Sequence, residues 1–523
     1  MKKILMTLAA VLCCAMTTTT LTSCSIEDNP VSNPVAEPDN RAEATIMYYG
    51  NGGGNVDLAL LASLCSCHKA DPKSFEKVNF VSQFKFSTPN NMIMNNWVEN
   101  LAKYLGSNTI RWAVNPNEPN AYYRLNTVSE FYGDYNADIT NPDSLTNFIN
   151  WAAKTYPAKK YILVMADHGG GYMPSDDLPE STASAVQHRG LLYDDGRDNR
   201  HFTVKSLARG IRQANVHIET LFMQACMMNN MEYQFELKDI VDYIAASTYT
   251  MQSNVSFNAL IDEFAKPQTT EEALAAFCKT TVEGWENSDD DKSYRDLTVT
   301  RTANLNKLGE MMRVFTDRLC DTYANGTDVQ RQKIDSCTAR AIKVEEGRPY
   351  YDIAKYISSL MGSLPEVYDE PFVTQFADAF NSGLVAQNYS RYLTEHNYQV
   401  DYSVMLGAKG FYFYTLWKTD AETGQKVPTY SLVYYPDGKR EWYELVPAEN
   451  NPGSYLFKFN SESTPWGSTL ADTYEQLEFD RIVGWSRWIK LNGQIPSLFC
   501  PHDLNLNLPD GDVSDNPQLS PRY

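Results

Sequence analysis

The sequence predicts an α/β fold: a three-layer α/β/α sandwich of helices around a mostly parallel sheet, followed by a C-terminal helical and β-containing region. Three observations predict it. Several short, nearly continuous apolar runs have the character of strands buried on both faces, as parallel strands are. Segments with apolar residues at helical spacing alternate with those runs, the pattern of βα units. Glycine-rich segments stand directly after two of the runs, where the chain must turn out of the sheet.

Residues 44–49 (ATIMYY) form the first expected strand, which runs into the glycine-rich 50–54 (GNGGG). Residues 56–64 read as a helix and 78–86 as a second strand. Asp143 is placed to cap a helix in which Leu145, Phe148, Ile149 and Ala152 recur at helical spacing, until Pro157 stops the run. A strand follows at once and ends in 162–171 (ILVMADHGGG); residues 218–226 (IETLFMQAC) form another, and 243–246 (YIAA) a further one. Beyond Phe264 the texture changes. Thr269 and Glu272 make a capping-box pattern ahead of a helix over 273–285. Ile353, Tyr356, Ile357, Leu360 and Met361 share one helical face. From Tyr402 to about Asn460 aromatic and β-branched residues dominate, with the turn signal PDGK at 436–439, so strands are expected there.

The first residues read as an export signal. Lys2 and Lys3 precede an apolar stretch over 4–16 that is too short to span a bilayer. The segment ends in Leu21-Thr-Ser-Cys24, which resembles a bacterial lipobox, in which the cysteine is lipidated and becomes the new N-terminus. The expected organisation is a lipoprotein signal peptide over 1–23, a disordered tether over 24–43, a core over 44–264 and the C-terminal region over 265–523. The tether is rich in Pro, Asn and acidic residues. These features imply an exported chain, anchored through Cys24 to a membrane of the cell envelope.

The net charge is −20, and removal of 1–23 takes two lysines and no acids, leaving −22. Such a chain, without a Lys/Arg-rich run, is a poor binder of nucleic acid. Of ten cysteines, Cys13 and Cys14 leave with the signal and Cys24 takes the lipid. The remaining seven, Cys65, Cys67, Cys226, Cys278, Cys320, Cys337 and Cys500, are sparse and odd in number, which excludes a disulfide framework. Cys226 is the best candidate for a free thiol, and Cys320 with Cys337 for a bridge.

His168 and Cys226 carry the chemistry. Each stands at the carboxyl end of an expected buried strand, where open parallel sheets place catalytic groups. A free thiol with a pKa of about 8.5 is mostly protonated at neutral pH, and an adjacent imidazole activates it. Gly169–Gly171 leave backbone N–H groups unobstructed near His168, and the N–H groups of Gly169 and Cys226 are candidates for holding an oxyanion. Alone, either side chain reads as a core or surface residue.

The surrounding sequence resembles the clostripain family of cysteine peptidases, which shares a caspase-like fold with caspases, gingipains and legumains. Residues 142–151 (PDSLTNFINW), 156–158 (YPA) and 161–164 (YILV) are similar to the family's approach to its catalytic histidine. Residues 227–233 (MMNNMEY) resemble its helix after the cysteine, and 410–414 (GFYFY) and 474–479 (YEQLEF) its C-terminal elements. The likeness spans most of the chain and is strongest over 141–246. It implies a cysteine endopeptidase acting on peptide or protein substrates as a monomer. Catalysis would use a dyad of His168 and Cys226 without a third side chain; Asp167, on the opposite strand face, is a weak candidate for orienting the histidine. The resemblance also implies activation by cleavage between the two residues, with Arg189-Gly190 one candidate bond, and extension of the core sheet by C-terminal strands.

The chain departs from the family at the substrate pocket. Relatives usually carry Asp two residues before the cysteine, where it meets a basic P1 side chain; here that residue is Gln224. Residues 246–251 (ASTYTM) also lack the acid often found there. A P1 preference that is not basic follows. The alternative is a clostripain-like lipoprotein without turnover, acting as a binding or scaffold module.

Other motifs yield to plainer readings. The segment GNGGG lacks the ending and spacing of phosphate loops. Cys65-Ser-Cys67-His68 has no partner pair at zinc spacing. Asp194, Asp195 and Asp198, the run 289–291, and Asp510 with Asp512 and Asp515 offer oxygen ligands without EF-hand spacing. No cofactor or metal is therefore required by the sequence; calcium is a possibility raised by the resemblance without a specific motif.

Overall fold

The structure, a computed structural model, describes residues 41–52, 56–86, 108–114, 125–127, 137–172, 190–194, 200–252, 254–286, 294–342, 344, 350–406 and 474–493, and the backbone of 412–419, 426–434, 440–447, 454–458 and 506–507. The expected signal peptide, Cys24 and its tether up to residue 40, Gly53, Gly54, Cys500, the turn at 436–439 and the acidic groups at 195–198, 289–291 and 510–515 lie outside these residues, as does 173–189. Among the described residues no helix is long and apolar enough to cross a membrane.

The strands in chain order are β1 (Ala42–Asn51), β2 (Val78–Lys85), β3 (Thr109–Val114), β4 (Leu125–Thr127), β5 (Ala158–Ala166), β6 (Leu191–Asp194), β7 (Arg200–Phe202), β8 (Ile218–Gln224), β9 (Val241–Ala246), β10 (Asp296–Arg301), β11 (Tyr350–Asp352), β12 (Leu384–Tyr389) and β13 (Ser403–Met405). Among the helices are α1 (Asp57–Cys65), α2 (Pro142–Thr155), α3 (Val204–Gln213), α4 (Met231–Leu237), α5 (Phe257–Phe264), α6 (Thr270–Glu286), α7 (Leu305–Asn325), α8 (Asp328–Ala339) and α9 (Ile353–Ser363).

A nine-stranded sheet in the order β12-β10-β9-β8-β5-β1-β2-β3-β4 organises the chain. Its middle strands, from β9 to β2, are parallel, and the outer pairs on each side are antiparallel. The period of two along each strand explains the layers. Met47, Leu163, Met165, Leu221 and Met223 join one apolar cluster with α2, α3, α4 and α7. Ile46, Tyr48, Ile162, Val164 and Phe222 join another with α1, α5 and α6. Burial on both faces is why these strands read as continuous apolar runs.

Two helix starts show how local chemistry sets the boundaries. Asn141 rather than Asp143 caps α2: its side chain accepts from Asp143 N at 2.9 Å, and Pro142 takes the first helical position. Proline has no N–H to lose there and its φ is already helical, so the helix begins before the acid expected to cap it. At α6 both arms of the capping box form, Glu272 N to Thr269 Oγ1 at 3.2 Å and Thr269 N to Glu272 Oε2 at 2.9 Å.

The C-terminal region differs from expectation in which strands extend the core. The aromatic-rich strands at 412–458 pair among themselves and with 506–507 in a separate five-stranded sheet. The main sheet is extended instead by β10 and β12. β10 reads DLTVTR and looks half-exposed, yet Asp296, Thr298 and Thr300 are fully buried under neighbouring strands and loops. Cys320 and Cys337 are free thiols instead of a bridge. Cys337 faces α9, with its sulfur 3.5 Å from Ser359 O and 3.3 Å from Ser363 Oγ.

Candidate active site

β1 leads to β2 on one side and lies against β5 on the other, so the strand order reverses at β1. A crevice at the carboxyl ends of the strands beside such a reversal is where open α/β sheets bind ligands. The ends are level: Gly50 is opposite Ala166, and Ala166 is opposite Gln224. His168 and Cys226 both follow within two residues of those positions, on strands about 4.8 Å apart. Each is half-buried, so neither is a core residue, and each remains within reach of a solute.

The backbone joins the two segments beyond the strand ends. Asp167 N donates to Gln224 O at 3.3 Å. Gly169 then presses against the backbone of Cys226: a Cβ at position 169 would lie 2.4 Å from Cys226 O and 2.9 Å from Cys226 N. Only glycine fits so close an approach. The two backbone N–H donors expected at an oxyanion site thus belong to neighbouring, closely packed residues.

Asp167 serves the backbone of His168. Its carboxylate accepts from His168 N at 2.6 Å, Tyr193 N at 2.6 Å and Asn51 Nδ2 at 2.7 Å. Burial pushes its carboxyl well above the usual carboxylate range, opposed by the hydrogen bonds from Asn51, His168 and Tyr193. Asn51 Nδ2 also donates to Tyr193 O at 2.6 Å, so the end of β1 is tied to both the histidine segment and β6. β6 is secured a second time by Lys85, whose ammonium lies 2.7 and 2.6 Å from the Asp194 carboxylate oxygens and 2.9 Å from Ala137 O; both side chains are fully buried. Further bonds, Leu192 N to His168 O and Gly170 N to Gly190 O, complete the seam between the histidine segment and β6.

Cys226 leaves β8 in a sharp turn. Met227 has φ of 59°, left-handed for a side chain that rarely adopts it. Its N–H donates to Tyr249 O at 2.9 Å, and Asn229 N donates to Ser247 O at 3.0 Å. The turn passes into α4, capped by Asn230, whose side chain accepts from Tyr233 N at 3.0 Å. From the segment after β9, Met251 N lies 3.3 Å from Cys226 Sγ, in donor position to the sulfur. That segment is held by Asp296, which accepts from Ser247 Oγ, Thr248 N and Tyr249 N.

Gln224 is 2% exposed, and its amide donates to Ser63 Oγ of α1 at 3.0 Å. Ser63 Oγ also accepts from Val255 N at 3.0 Å. Asn51, Ser63, Met251 and Asp296 went unrecognised in the sequence. A single Asn, Ser or Asp without a periodic pattern carries no local signal, and Met251 contributes only a backbone N–H. Two shallow depressions, one lined by Lys159, His217 and Asp242 and the other by Lys77, Glu263 and Lys266, open at the amino ends of the strands, away from this chemistry.

The thiol of Cys226 and the imidazole of His168 thus follow the level ends of adjacent parallel strands in an α/β sandwich, at the sheet edge where proteins of this class carry their ligands. A sequence model described as the clostripain family of peptidases matches residues 95–485, about three quarters of the chain and both residues of the pair. The chain belongs to the clostripain family. It is 23% identical to clostripain of Hathewaya histolytica over 226 residues, 41% of this chain and 39% of that protein, so it spans well under half the length of this curated relative. Among solved structures, it is similar to a secreted C11 cysteine protease from Bacteroides thetaiotaomicron in complex with an irreversible peptide inhibitor, with a TM-score of 0.50 and 13% identity over 85% of this chain and 99% of the other. An inactive zymogen C11 protease from Parabacteroides distasonis gives a TM-score of 0.50 at 15% identity with the same coverage. These likenesses establish the caspase-like fold.

Proposed function

We propose that the protein is an exported cysteine endopeptidase that hydrolyses peptide bonds through an acyl-enzyme intermediate. Cys226 attacks the scissile carbonyl, and His168 takes the thiol proton and returns it to the leaving amine. The backbone N–H groups of Gly169 and Cys226 hold the oxyanion. Water then releases the acyl group, with His168 as base. The single observation that carries this reading is the packing of Gly169 on the Cys226 backbone, which brings the histidine segment and the nucleophile turn into one site.

In the same reading, Gln224 forms the floor of the pocket for the P1 side chain. A neutral amide held on Ser63 offers a guanidinium no countercharge, so the enzyme favours P1 residues that are not basic. The solved relative from Bacteroides thetaiotaomicron is described as secreted, in keeping with export of this chain; Cys24 supplies the lipid anchor. Cleavage of a peptide library by the wild type, by Cys226→Ala and by His168→Ala tests the reading. Both variants are expected to lose cleavage by several orders of magnitude with unchanged far-UV circular dichroism. Full activity in Cys226→Ala overturns the mechanism, and absence of cleavage by a folded wild type favours the scaffold alternative.

A further inference from the structure

Asp296 opens β10 and is fully buried, although nothing in the chemistry above uses it. Its Oδ1 accepts from Ser247 Oγ at 2.6 Å, from Thr248 N at 3.1 Å and from Tyr249 N at 3.0 Å, while Oδ2 accepts from Thr248 N at 2.8 Å. One edge of the 247–249 segment is thereby committed to a single carboxylate. The carbonyls of Ser247 and Tyr249 are committed to the chain just after Cys226, accepting from Asn229 N and Met227 N. Asn229 Nδ2 adds a bond to Thr248 Oγ1 at 3.1 Å. Two residues further on, Met251 N lies 3.3 Å from the Cys226 sulfur.

We propose that Asp296 is a positioning residue for the nucleophile: it fixes the 247–251 segment, and that segment holds the left-handed Met227 turn and presents the Met251 N–H to Cys226 Sγ. This rests on the assignment of Cys226 as nucleophile. A strained φ such as that of Met227 persists only where its surroundings over-determine it, and the bond from Met227 N to Tyr249 O is part of that determination. An N–H donor to sulfur favours the thiolate over the thiol, which lowers the thiol pKa. Burying a carboxylate is costly unless donors converge on it, and here they converge from the segment that touches the sulfur. Burial pushes the Asp296 carboxyl up to about 6, with the bonds from Ser247, Thr248 and Tyr249 pulling the other way. Asp296 acts electrostatically on Tyr249 and, from β12, on Tyr389; Asp352, Tyr294 and Tyr398 also act on Tyr249, and Asp401 on Tyr389.

The test is the pH profile of Cys226 alkylation by iodoacetamide in the full chain, with Cys226→Ala subtracted as the blank for other thiols. The wild type is expected to react with a midpoint well below that of an ordinary thiol. Asp296→Asn, which keeps the volume and removes the charge and one acceptor, is expected to raise the midpoint by about one unit and to slow alkylation at pH 7 by about tenfold. Ser247→Ala, a milder loss on the donor side, is expected to move the midpoint in the same direction by less and keeps the test open where Asp296→Asn does not fold. A lower Tm with an unchanged alkylation midpoint in both variants gives Asp296 a merely structural role and overturns the proposal alone. Ordinary thiol reactivity of Cys226 in the wild type overturns both the nucleophile and its positioning residue.

Discussion

Gly169 is the residue at which sequence and site meet most tightly. Alanine there would place a methyl carbon 2.4 Å from Cys226 O, against backbone that has no freedom to yield. Gly169→Ala is therefore expected to cut peptide cleavage at least ~100-fold, the scale of losing one oxyanion donor. A peptide-cleavage assay checks this, and wild-type rates in the variant would show that the approach is loose. With Gln224 as the proposed floor of the P1 pocket, Gln224→Asp is expected to increase cleavage after Arg or Lys relative to the wild type, read from a peptide library. A buried, unpartnered substrate cation costs on the order of 3 kcal/mol, above a hundredfold in selectivity. A wild type that already prefers Arg or Lys would place the pocket acid elsewhere. At Asp296 the sign of a pH effect is fixed. Its folded carboxyl, near 6, lies above its ordinary 3.8, so the folded chain holds a proton that the unfolded chain releases. Stability from this group is full below about 3.8 and lost as the pH rises through 6. The Tm advantage of the wild type over Asp296→Asn should accordingly be larger at pH 4.5 than at pH 7; the reverse order would contradict the burial argument.

At the scale of elements, β6 shows how the histidine segment is kept in register. Lys85 and Asp194 are both fully buried, so removing one takes a close countercharge away from the other. Lys85→Met is expected to destabilise the fold by about 3–5 kcal/mol in urea unfolding, and the double variant with Asp194→Leu to recover most of that loss. Equal loss in single and double variants would mean that the pair itself, and not the charge left without its close countercharge, holds β6. The same seam bears on processing. Gly190 is buried and its carbonyl accepts from Gly170 N, so the bond after Arg189 adjoins backbone already engaged in the seam. Any activating cleavage is expected upstream, within 173–188, as N-terminal sequencing of a processed form would show. The strands that deliver His168 and Cys226 were legible in the sequence because burial on both faces leaves an unbroken apolar run. β10 was not legible, since Asp296 and its threonines look like surface residues until the 247–249 segment and its neighbours bury them. The cap of α2 lies two residues before Asp143 because Pro142 makes Asn141 the better cap.

For the whole molecule, the core was readable from alternating strand and helix patterns, whereas the partition of the C-terminal strands was not. Their aromatic-rich sequence shows that they pair but not with which sheet, since register and partner are set by non-local contacts. The reading of the molecule as a tethered enzyme predicts that Cys24→Ala moves it from membranes to the soluble fraction, because the multiply acylated cysteine of a lipoprotein is its anchor. Persistence in the detergent phase would refute the lipobox reading. The central claim is that the crevice at the β1, β5 and β8 ends holds an activated thiol. Its most direct test is labelling of the purified protein with an electrophilic peptide probe, the modified residue being located by mass spectrometry. The account predicts stoichiometric modification of Cys226 that is abolished by His168→Ala in a folded chain; an unmodified Cys226, or labelling indifferent to His168, would contradict it.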